Sequence, residues 1–128
     1  MRISFIFITL FSVIFSSLLL KLFKMKAVIE YVKYISSFFL SKRKNIISFK
    51  QIYLRFFKIN KLLNIKSCLL RCISLKIIYS YYGYDLKVCC GVKIKNRAVD
   101  GHAWLTYQDN IVFEEKDDIK SYIFSFEI

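Results

Sequence analysis

A chain of 128 residues has room for one domain with a modest core and little for a second. Hydrophobic residues make up 56% of it, with 13 Phe and 9 Tyr, which excludes disorder as the general state. The 21 Lys and Arg outnumber the nine acidic residues to give a net charge of +12, a balance that suits an acidic peptide, a phosphate-bearing polymer or an anionic membrane face without choosing among them.

Ile3 to Leu20 is apolar apart from Ser4, Thr9, Ser12, Ser16 and Ser17, and is bracketed by Arg2 and Lys21. Three readings fit: a buried or interfacial N-terminal helix, a short membrane span, or a signal peptide, the last disfavoured because no A-x-A cleavage site follows. From Lys24 to Leu40 the spacing predicts a helix, with Val28, Ile29, Val32, Ile35 and Phe39 inward and Lys26, Glu30 and Lys33 outward. Ser41-Lys42-Arg43-Lys44-Asn45 reads as a basic loop. A third helix is predicted over Phe49 to Phe57, with Ile52, Tyr53, Phe56 and Phe57 buried, and Asn60 to Asn64 reads as a link. A fourth helix begins after Ser67, a good N-cap, and ends before Gly83, a good C′ residue. Its Leu69, Leu70, Ile73, Ile77 and Ile78 make it the central, mostly buried helix.

After Gly83 the pattern changes to strands: Leu86 to Ile94, a turn through Asn96 to Gly101, then His102 to Tyr107 and Ile111 to Glu115 joined at Gln108-Asp109-Asn110, and a last strand over Ser121 to Phe126. The expected fold is α+β, in which N-terminal helices and a central Cys-bearing helix pack on a small antiparallel sheet. The whole chain, 1–128, is read as one domain, with 1–66 as a helical N-terminal part and 67–128 as a Cys/His core.

The chemistry-bearing residues gather in that core. Of the four cysteines, Cys89 and Cys90 are adjacent and would point to opposite faces of a strand, while Cys68 and Cys72 lie one helical turn apart. Four cysteines would permit two disulfides, but these placements do not favour them, and Cys89-Cys90 lacks the spacing of zinc ligands, so reduced, mostly buried thiols and a cytoplasmic location are expected ahead of a metal site or disulfides. Cys68 differs from the others in falling in the first turn of the fourth helix, where free N–H groups and the helix dipole stabilise an anion. His102 is the only histidine and opens the Gly101-His102-Ala103-Trp104-Leu105 strand. Imidazole is the natural base for a thiol near neutral pH, and a carboxylate usually orients it. Two glutamates can do so. A three-residue loop at Gln108 to Asn110 pairs Trp104 with Glu114, which then shares the face of His102; a two-residue turn at Gln108-Asp109 puts Glu115 opposite His102.

Cys68-Leu69-Leu70-Arg71, then Ser74-Leu75, Gly83, Gly91-Val92-Lys93 and His102-Ala103-Trp104 resemble, in order and spacing, the lasso-peptide biosynthesis B protein family, in its stand-alone leader-peptidase form within the transglutaminase-like, papain-like cysteine peptidase superfamily. The resemblance covers about Ser67 to Glu115. It implies that Cys68 is the nucleophile and His102 its base, with Glu114 at the position of the family's usual Asp. It also implies a transglutaminase-like, papain-like fold that removes the leader from a lasso precursor peptide, needs no cofactor or metal, and works with a separate small leader-recognition protein and an ATP-dependent lasso cyclase. No nucleic acid partner is expected. Gly83-Tyr84-Asp85-Leu86 departs from the family's G-I-P-A in lacking proline, and Cys72 stands where Ser or Ala is usual. Two other readings stand beside this one: a transglutaminase-like acyl transferase using the same residues, and a non-catalytic basic protein held at a membrane through residues 3–20.

Overall fold

In the computed structural model, residues 3–40 and 47–128 are described; the basic stretch Ser41 to Asn45 lies outside them. The elements are α1 (Ile3–Leu22), α2 (Met25–Leu40), α3 (Phe49–Leu63), α4 (Cys68–Tyr81), β1 (Leu86–Lys95), β2 (Ala98–Tyr107), β3 (Asn110–Val112), α5 (Lys116–Ile119) and β4 (Ile123–Glu127). The four strands form one antiparallel sheet in the order β3-β2-β1-β4. This is the expected α+β layout.

α1, α2, α3, β1 and β2 all pack on α4, whose residues from Cys72 to Ser80 are all buried. Its ends are fixed by local hydrogen bonds. Ser67 Oγ accepts from Leu70 N at 3.2 Å, and past Tyr82 the chain takes φ 91° at Gly83. There Gly83 N–H donates to Ser80 O and Tyr84 N–H to Tyr79 O, the paired bonds of a Schellman cap. α1 and α2 cover one side of α4 and the sheet covers the other. β1 and β2 send Val88, Cys90, Ala103 and Leu105 into that core. Alternation turns Cys89 and Trp104 to the opposite face, where they meet Ile119. The buried Lys76 ties α4 to the sheet by donating to Leu86 O, and burial lowers its pKa.

α1 buries hydroxyls as well as hydrocarbon. Its buried face carries Thr9, Ser12 and Ser16 with Phe5, Ile8 and Leu19. Thr9 and Ser12 each donate to the carbonyl one turn back, at 2.7 Å, so their hydroxyls are satisfied within the helix. The small residues allow close approach to α4, while apolar side chains face outward. By length and composition α1 is capable of crossing a membrane, and 33% of its apolar window is buried against the protein.

Three boundaries differ from the sequence reading. Residues Asn60 to Asn64 are not a link: α3 runs on to Leu63 and stops where Asn64, at φ 54°, donates its N–H to Asn60 O. Phe57, expected inside, is 44% exposed. The turn expected over Asn96 to Gly101 is only two residues, Asn96 and Arg97 at φ 52° and 64°, the pair of left-handed positions that a tight hairpin turn requires. β3 ends at Val112, short of Glu115, and the short helix α5 follows.

Candidate active site

Cys68 is the first residue of α4 and is half-buried, whereas Cys72, Cys89 and Cys90 are buried; all four are free. Burial sets the three buried thiols apart, pushing those of Cys72 and Cys89 up and that of Cys90 up to about 11. They stay protonated at neutral pH. The backbone N–H groups of Cys68 and Leu69 precede the first intrahelical bond, made by Arg71 N to Ser67 O, which leaves them outside the helical ladder as potential donors at this end of α4.

His102 sits on β2 opposite Gly91. β3 pairs with β2 only from Leu105 to Tyr107, which leaves the margin of β2 open beside His102. The imidazole rests on a shelf of two rings, 5.1 Å from Tyr122 and 6.0 Å from Trp104, which themselves lie 6.3 Å apart. Tyr122 is held in turn by a 3.0 Å hydrogen bond from its hydroxyl to Asp100 Oδ2. Gly91 makes this shelf possible. A Cβ there would lie 2.9 Å from both Ile123 O and Trp104 Cη2, too close for any side chain without movement of the strand or the indole.

Glu114 Oε1 lies 2.7 Å from His102 Nε2. The contact is not the one simple strand register dictates. The hairpin turn is the two-residue form, Gln108-Asp109 at φ 52° and 65°, with Tyr107 paired to Asn110. Continued without a break, that register would bring Glu115 opposite His102. The strand breaks instead at Phe113, which adopts φ 69°, an unfavourable conformation for a bulky residue. Its ring is clamped against Tyr53 at 4.1 Å and 7°, and against Phe49 at 5.7 Å and 20°. This break turns Glu114 toward His102 and leaves Glu115 exposed at the start of α5. With Nε2 engaged, Nδ1 is the imidazole nitrogen left for a thiol.

Cys68 and His102 both line one cavity of about 280 Å³, whose walls are almost wholly apolar and include Leu69, Val92, Ala103 and Phe126. The volume falls just below the roughly 300–1,000 Å³ of sites for drug-sized ligands. It suits one or two side chains of a bound peptide.

A model of the transglutaminase-like superfamily matches residues 51–124, more than half of the chain. This protein belongs to the transglutaminase-like superfamily. The matched span opens within α3 and closes within β4, so Cys68, His102 and Glu114 all fall inside the transglutaminase-like region. The superfamily includes cysteine peptidases and acyltransferases, and both chemistries use a thiol acylated by a carbonyl substrate. Comparisons with curated proteins and with solved structures return no match.

The sequence singles out Gly91 only within the Gly91-Val92-Lys93 motif, without a role in the site, and does not point to Tyr122 or Phe113. Gly91, in a chain with three glycines and no proline, was the one with a visible signal, since so scarce a residue inside a strand marks a close approach. Tyr122 and Phe113 are two aromatics among 22 Phe and Tyr side chains, and nothing local distinguishes them.

Proposed function

We propose that this chain is a cysteine peptidase that removes the leader from a ribosomally made lasso-peptide precursor. The observation that carries the catalytic part is the 2.7 Å contact of His102 Nε2 with Glu114, on an imidazole that shares a cavity with Cys68, the first residue of α4. The lasso assignment rests on the motif resemblance between Ser67 and Glu115. Glu114 holds the imidazole so that Nδ1 takes the thiol proton. The Cys68 sulfur attacks the scissile carbonyl, and the N–H groups at the start of α4 stabilise the oxyanion. Collapse of the tetrahedral intermediate breaks the C–N bond as His102 returns its proton to the leaving amine. Water, deprotonated by His102, then releases the acyl group as a carboxylate and restores the thiol.

In this reading the apolar cavity seats a precursor side chain beside the scissile bond. A separate small recognition protein presents the leader, an ATP-dependent cyclase closes the ring on the freed core, and the reaction takes place in the cytoplasm, where thiols remain reduced. The superfamily's acyltransferases give the second reading, with an amine replacing water in the last step.

The test is to incubate wild-type and Cys68→Ala proteins with a lasso-peptide precursor and to weigh the products. Hydrolysis gives two fragments whose masses sum to precursor plus water. Transfer gives a conjugate instead, with ammonia lost where a glutamine side chain is the acyl donor. Equal cleavage by Cys68→Ala would overturn the proposal.

A further inference from the structure

The outward face of α1 has no role in the chemistry above. Ile3, Phe7, Phe11, Ile14, Leu18 and Leu22 are between 45% and 71% exposed. At 100° per residue these six fall within an arc of about 100°. The buried Phe5, Ile8, Thr9, Ser12, Ser16 and Leu19 occupy the opposite arc. A helix of a water-soluble domain normally turns its hydroxyls out and its hydrocarbon in; α1 instead buries Thr9, Ser12 and Ser16 and leaves these six apolar side chains outside. Lys21 falls on the same arc at its C-terminal end, and exposed Lys24 and Lys26 follow directly. Phe23 packs on Tyr31 at 5.4 Å, and Tyr31 and Tyr34 extend the exposed aromatic surface onto α2.

We infer that this face docks on an anionic bilayer surface, with α1 lying in the plane of the membrane rather than crossing it. The in-plane orientation follows from the other face of α1, which is committed to α4 and leaves only one side for lipid. The lysines at the α1–α2 junction and the overall charge of +12 supply the attraction to acidic headgroups. Tyr31 and Tyr34 suit the headgroup boundary, since each ring has an apolar body and a polar tip. The inference is independent of what Cys68 does.

The test is flotation of the full chain with vesicles of phosphatidylcholine, with and without phosphatidylglycerol. The inferred outcome is flotation with the acidic vesicles, weakened by salt. Phe7→Asp combined with Leu18→Asp should lower partitioning about tenfold or more. Lys21→Glu with Lys24→Glu leaves the exposed apolar residues of α1 in place and should weaken the preference for phosphatidylglycerol, since it removes four of the twelve units of net charge. Far-UV circular dichroism establishes that each variant is folded, and the lysine pair decides the matter if the aspartate pair is not. Failure to float with either vesicle, or equal flotation of wild type and both folded variants, overturns the inference. So does a dimer in sedimentation that Phe7→Asp/Leu18→Asp dissociates, because the face would then belong to a second copy.

Discussion

Replacing Glu114 is the perturbation whose size follows most directly from the structure. Its carboxylate meets His102 Nε2 at 2.7 Å, with the two side chains 32% and 21% exposed. A hydrogen bond involving a charged group contributes about 1.5–3 kcal/mol, and partial solvation places this one toward the lower end. Since about 1.4 kcal/mol is a factor of ten, Glu114→Ala should lower kcat/KM for precursor cleavage by roughly tenfold to thirtyfold. Glu114→Asp keeps the charge but shortens the arm by one methylene, and should fall between wild type and alanine. Glu115→Ala should change the rate by less than about twofold, within the range of a surface substitution. Progress curves of precursor cleavage followed by chromatography give all four rates. The reasoning fails if Glu115→Ala costs as much as Glu114→Ala, or if neither costs anything.

Phe113 should matter through Glu114: Phe113→Gly accepts φ 69° without strain but loses the stacks on Tyr53 and Phe49, so kcat should drop with KM little changed, while Phe113→Tyr restores it. Wild-type kcat in Phe113→Gly would show that the aromatic clamp does not position Glu114. Gly91→Ala forces a Cβ against Ile123 O and the Trp104 ring, and should destabilise the fold by about 1–3 kcal/mol, measured by urea unfolding with the single tryptophan as probe. Stability should also fall on the alkaline side. The Cys90 thiol is raised from 9.0 to about 11, so between those values the unfolded chain has lost a proton that the folded chain keeps. The resulting loss, on the order of 2 kcal/mol by pH 11, should shrink in Cys90→Ala when melting is followed across that range.

The parts of the molecule that the sequence announced are those fixed by local chemistry. Ser67 and Gly83 bracket α4 because a hydroxyl cap and a left-handed residue act within a turn of where they stand. The change after Gly83 from helical spacing to short Val- and Cys-rich runs likewise marks where the sheet begins, at Leu86. What could not be read depends on distant partners or uncommon backbone. Asn60 to Asn64 has the composition of a loop, yet burial of Ile59 and the left-handed Asn64 carry α3 to Leu63. The choice between Glu114 and Glu115 turned on Phe113 at positive φ, and the rings stacked on it come from α3, some 60 residues earlier. The inward-facing hydroxyls of α1 were invisible for a related reason. A nearly uniform apolar run does not say which side will be covered.

The central claim is that His102 activates Cys68 while the other three thiols are inert. It is tested most directly by timing iodoacetamide modification at pH 7 with intact and peptide mass spectrometry, in wild type and in His102→Ala. Wild type should gain a single adduct at Cys68, and His102→Ala should slow that reaction at least tenfold, the least expected of a base worth roughly 10²–10⁴. Equal rates in the two proteins, or an adduct first at Cys72, Cys89 or Cys90, would contradict the account.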